Sequence, residues 1–134
     1  MKPFVYVLLA FLSLTACSSG DTTQPKTVEG IWNLVSLTGG FAGVDFQYSA
    51  GEVTFDFNAK DSTVVVNNNL SEDDIRKGFV LSEGQYIYWL EYNDDRIDMY
   101  VDQHLFGTVR ESSIFFLLVD DEALIDGFSY SFMK

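Results

Sequence analysis

One cysteine, one histidine and two prolines are all that this chain of 134 residues holds of those three residue types. A single cysteine excludes an intramolecular disulfide. Together with a single histidine, His104, it also excludes the Cys/His sets that build zinc centres. No Gly-x-Ser-x-Gly elbow is present, so His104 is expected at a turn or rim and not as a general base. Basic residues are scarce as well: 8 Lys and Arg stand against 20 Asp and Glu, for a net charge of −12, which repels nucleic acid and anionic headgroups alike. No apolar run approaches the ~20 residues that cross a bilayer as a helix. What the chain does have is aromatic side chains, at 16 % of its residues, enough for a folded core.

The lone cysteine has a particular setting. Met1 and Lys2 make a short basic start, Phe4 to Leu12 an apolar run, and Leu14-Thr15-Ala16 a small-residue approach to Cys17. That is the layout of a signal peptide. Leu14-Thr15-Ala16-Cys17 resembles the bacterial lipobox, and the resemblance implies cleavage after residue 16 and acylation of Cys17 by three chains of palmitate type. One chain holds only marginally, whereas several anchor a protein stably. Ser18 stands where an aspartate would resemble an inner-membrane retention signal. The implied address is therefore the outer membrane of a Gram-negative envelope, with the periplasmic and surface faces both open. Residues 17–28 then form the acylated cysteine and a tether rich in Ser, Thr, Gly and Gln. Residues 29–134 form one domain.

That domain alternates with a period of two. In Glu52-Val-Thr-Phe-Asp-Phe-Asn58, Val53, Phe55 and Phe57 share one face, as a half-buried strand requires. Phe128, Tyr130 and Phe132 repeat the device near the end of the chain. Strands are expected near 30–38, 51–58, 61–67, 84–92, 96–101, 105–110, 113–119 and 126–133. Eight short, evenly spaced antiparallel strands make an all-β, up-and-down closed barrel the leading fold, ahead of a sandwich. Ser71-Glu-Asp-Asp-Ile-Arg-Lys-Gly78 has a cap residue, early acids, late bases and a closing glycine, which predicts one short helix near 71–77.

Gly30-Ile31-Trp32, opening the first strand, resembles the Gly-x-Trp signature of lipocalins and of the shorter lipocalin-like domains on bacterial lipoproteins, the calycin type. Asp126-Gly127 before an aromatic last strand is similar to those shorter domains. The resemblance implies that Trp32 packs across the closed end of an eight-stranded barrel whose other end admits a ligand.

Alternating strands place the long connections, 39–50, 68–83, 102–104 and 120–125, at one end and the tight turns, with the tether, at the other. The mouth then points away from the membrane. It gathers Asp45, Glu72, Asp73, Asp74, Asp102, Asp120, Asp121 and Glu122, a field that favours cations over anions. No EF-hand loop is present, so no metal or other cofactor is expected. The glycine-rich connection Gly39–Tyr48, with Phe41, Phe46 and Tyr48, reads either as a mobile lid or as a permanent plug. Candidate ligand-binding residues are Trp32, Phe41, Phe46, Tyr48, Phe55, Phe57, Met99, Phe116 and Tyr130.

The expected role is non-catalytic binding of a small neutral or cationic apolar molecule. Large inward residues, with Val65 and Ile97 counted among them, point to an interior with little room. Tyr86–Leu90 and Ile114–Val119 are apolar on both faces. Those two features support the alternative, a filled barrel that docks an envelope protein through its outer wall. The expected partners are thus the membrane through the lipid, a small apolar ligand or an envelope protein, and no nucleic acid.

Overall fold

Alternating apolar residues commit the chain to strands, and the computed structural model, which describes residues 28–94, 96–112, 116–120 and 127–134, closes them into a barrel. Cys17 and the tether up to Thr27, Asp121 and Glu122 lie outside the described residues, as does the side chain of Phe116. The strands are β1 (Gly30–Gly39), β2 (Val44–Gln47), β3 (Val53–Asn58), β4 (Thr63–Asn68), β5 (Gly84–Asn93), β6 (Arg96–Val101), β7 (His104–Ser112), β8 (Phe116–Asp120) and β9 (Phe128–Met133). Every pairing is antiparallel, and β1 pairs with β9 to close the ring.

Nine strands build eight walls. The first half of β1 pairs with β3, Trp32 opposite Phe55, while its second half pairs with β2, Leu37 opposite Phe46. β2 and β3 therefore follow one another along a single edge of β1 and act as one interrupted wall. The stretch expected to be either a lid or a plug thus consists of the turn 40–43 and β2, which is bonded to the second half of β1. Strand direction still alternates around the ring. The connections 40–43, 69–83 and 102–103 share the mouth end, and the 59–62 turn shares the other end with Val28, where the described chain begins.

The core sits inside the ring. Trp32, Leu34, Leu37, Val53, Phe55, Phe57, Met99 and Phe132 are buried, and Phe55 meets Phe132 at 5.0 Å between ring centroids and Phe57 at 6.2 Å. Leu34 and Leu37 both point inward because a bulge between Leu34 and Ser36 adds a residue and resets the alternation. Val65 proves to face outward, with Val64 and Val66 buried on either side of it, so its expected inward position is corrected by one residue of register. Ile97 is half-buried.

The short helix is present as a single 3-10 turn, Ile75–Phe79, displaced from its expected start. Asp74, not Ser71, caps it, its carboxylate accepting from the Arg76 amide at 2.9 Å. Ser71 instead accepts the Asp74 amide through its carbonyl, closing a turn ahead of the helix, so the cap falls three residues later than expected. Gly78, expected to close the helix, lies inside the turn, and Val80 is its C-terminal cap.

Candidate functional site

The mouth is roofed by the 69–83 segment, which one arginine fastens to the barrel. Arg76 donates to Asp74 (2.7 Å) and Glu52 (3.2 Å) and to the carbonyl of Gln47, and its guanidinium lies 5.2 Å from the centre of the Tyr48 ring. The Ser49 amide and Arg76 hold the Glu52 carboxyl below its ordinary range, and Arg76 does the same to Asp74. Lys77 is engaged by Glu72 and by the Leu70 carbonyl. Both cations at this end are therefore spent on the roof itself, while Asp45, Glu72, Asp73 and Asp102 remain exposed there.

Beneath the roof Phe79 inserts edge-on between Phe46 (5.1 Å) and Phe128 (5.9 Å). Burial pushes the Tyr48 hydroxyl up to about 12, and it has no hydrogen-bond partner among the described residues. Beside Phe79, between the roof and the β6–β7 turn, opens a cleft of about 370 Å³. Its walls are Phe79, Leu81, Tyr86, Val101, Leu105, Phe106 and Tyr130, with Asp102 and His104 at the rim. Phe106 and Tyr130 lie 4.8 Å apart, and Phe106 is 6.0 Å from Phe55 in the core below. Tyr86 donates its hydroxyl to the Ser82 carbonyl at 2.8 Å, which pins the outer wall of the cleft to the roof segment. Asp102 and Gln103 both adopt positive φ, 50° and 68°, a conformation typical of two-residue hairpin turns and costly for glutamine.

The structure distributes the described sequence-derived candidates over four places. Tyr130 lines the cleft. Phe46 and Tyr48 pack under the roof nearby. Trp32, Phe55, Phe57 and Met99 belong to the filled core beneath and line no part of it. Phe41, 95 % exposed at the β1–β2 turn, lies away from it. Tyr86, Phe106 and Phe79 were missed. Tyr86 shares the inward face of its strand with buried Tyr88 and was legible by period, whereas Phe106 turns inward at an irregularity of the β6–β7 register and Phe79 lies in a loop that carries no period.

At the other end Trp32 is buried with its indole nitrogen unpartnered among the described residues, and the Lys134 ammonium sits 4.8 Å over its ring. Tyr88 donates to the Val28 carbonyl (3.0 Å), and Glu29 accepts the Ala59 amide (2.7 Å), so the start of the described chain is sewn to this pole. On the outer wall Asp98 is buried and held by Arg96 (2.7 Å) and Thr108 (2.8 Å). Burial works to raise its carboxyl, but these partners bring it below the ordinary value. Among the described residues no three His, Cys, Asp or Glu are placed to hold a metal ion. Compared with family models, curated proteins and solved structures, the chain matches none.

Proposed function

We propose that this is a lipid-anchored envelope protein of lipocalin-like type that binds one small neutral or cationic apolar molecule, without catalysis, in the cleft at its mouth. The anchor rests on Cys17 in its lipobox-like setting, and the outer membrane is the corresponding address. The observation that carries the ligand reading is the cleft of about 370 Å³, walled by Phe79, Tyr86, Phe106 and Tyr130. Its size falls in the range of small-molecule sites, roughly 300–1,000 Å³. Aromatic faces favour apolar and cationic groups. Exposed Asp102 at the rim, with Glu72 and Asp73 on the roof, disfavours a carboxylate. The filled interior moves the ligand from the depth of the barrel to this cleft.

The test is fluorescence titration with neutral N-phenyl-1-naphthylamine, followed by displacement with dodecyltrimethylammonium or dodecanoate. Saturable one-site binding, displaced by the ammonium compound far better than by the carboxylate and lost in Leu105→Trp, which fills the cleft, is the expected outcome. Absence of saturable binding, or displacement by dodecanoate at least as strong, overturns it.

A further inference from the structure

The pole opposite the mouth has a character of its own. Among the described residues the large exposed hydrophobics are eight, and five of them, Ile31, Ile87, Trp89, Tyr92 and Met133, lie toward the end at which the chain enters. The register explains the exposure. β4 begins at Thr63, which pairs with Ile87, so the rest of β5 runs on past the β3–β4 turn as a protruding hairpin with β6. Trp89, 38 % exposed, stands on that hairpin in parallel stacking with Tyr100 at 4.9 Å, and Tyr92, 51 % exposed, lies near its tip. Between the hairpin, the β3–β4 turn and Val28 runs a further cleft of about 200 Å³, lined by Tyr88, Trp89, Leu90 and Tyr92.

We infer that this pole is a membrane-contact surface that seats on the headgroup layer of a phospholipid bilayer, with Trp89 and Tyr92 as its interfacial anchors. The inference rests on the lipid-anchor part of the proposed function. Three observations argue for this occupant. The first is chain length: ten residues, Ser18 to Thr27, separate Cys17 from Val28, and they reach at most about 35 Å. An acylated Cys17 would therefore hold this pole within reach of the bilayer. The second is residue type: aromatic side chains with one polar end favour the boundary between headgroup and acyl chain, and Lys60, Arg96 and Lys134, all exposed here, can lay apolar stems along it. The third is the charge contrast between poles. At the entry pole the exposed acids Glu29, Asp61, Glu91 and Asp94 are interspersed with Lys60, Arg96 and Lys134, and two of them are engaged, Glu29 with the Ala59 amide and Asp61 with Asn58. The mouth, by contrast, presents exposed Asp45, Glu72, Asp73 and Asp102 with its cations paired. A bilayer surface therefore meets mixed charge at the entry pole and a larger acid surplus at the mouth, which orients the entry pole toward it.

The test uses the full-length product purified from membranes and reconstituted into phosphatidylethanolamine and phosphatidylglycerol vesicles with brominated acyl chains. The chain has two tryptophans, and Trp32 is sealed in the core, so bromine quenching reads Trp89. Loss of roughly half of the Trp89 emission relative to plain vesicles is expected for an indole at headgroup level. Trp89→Phe removes the loss, and Tyr92→Asp with Ile31→Asp reduces it while the protein still floats with the vesicles. Equal emission in brominated and plain vesicles from floating protein overturns the inference and leaves the exposed wall to a protein partner. Protein that does not float refutes the anchor instead. The same quenching measured on the chain coupled through Cys17 to a maleimide lipid then decides the contact by itself: quenching upholds it and no quenching overturns it.

Discussion

Replacing Phe55 by alanine tests whether the interior is packed as described. The ring is fully buried and meets Phe132 at 5.0 Å, Phe106 at 6.0 Å and Phe57 at 6.2 Å, so neighbours on two other strands and one on β3 itself lose contact at once. Truncating a buried phenylalanine costs about 3–5 kcal/mol, part of it lost transfer free energy and part the void that rigid strands cannot close. A domain is stable by about 5–15 kcal/mol in all, so the loss is a large fraction of the total. With a urea slope of about 2 kcal/mol/M, the midpoint falls by roughly 2 M. The assay is equilibrium unfolding followed by the emission of buried Trp32. Phe106 roofs the new void and floors the mouth cleft, so the variant should also bind N-phenyl-1-naphthylamine more tightly. A loss below about 1 kcal/mol, the size of an ordinary substitution, would refute the reasoning. It would mean that the barrel is hollow where these rings are described as touching.

Three further expectations follow from particular contacts. Glu52 and Asp74 have carboxyls lowered from 4.5 and 3.8, so their contribution is complete above those values and disappears as pH falls through the lowered ones. The melting temperature should accordingly drop on acidification below about pH 5, and Arg76→Gln should flatten that slope; an unchanged slope in the variant would assign it to other acids. Thr108→Val removes the hydroxyl that donates to buried Asp98 at 2.8 Å and should cost about 1–2 kcal/mol by urea unfolding; a neutral result would show Asp98 satisfied by its other partners. Gly107→Ala would place a Cβ 2.7 Å from the Asp120 carbonyl oxygen and 2.8 Å from a Val119 methyl. It should destabilise by about 1–3 kcal/mol, and a melting temperature equal to wild type would mean that β7 and β8 can part there without penalty.

Much of this molecule was legible in its residues because strand alternation is a local property. Val53, Phe55 and Phe57 had to share a face in any sheet, and antiparallel succession then sorted long connections from short ones, which placed the acid-rich loops opposite the chain's entry. The period misleads in two ways: Val65 lies in a run of three valines and was assigned inward by a one-residue slip, and Leu37 takes its inward place only because of the irregularity after Leu34. The 3-10 turn was misplaced by its own chemistry, since Asp74 found Arg76 as partner before a helix could use Ser71.

By itself the sequence determined an acidic, aromatic-rich, all-β domain, because composition and period need no partner from elsewhere in the chain. Only the tertiary structure decided that Trp32, Phe55, Phe57, Met99 and Phe132 are buried together inside the ring, that a cleft lies beside Phe79, Phe106 and Tyr130, and that Trp89 and Tyr92 stand on a hairpin that runs past β4. Volume and exposure depend on how far apart the walls stand and where each strand stops against its neighbour, and those are relations between residues tens of positions apart.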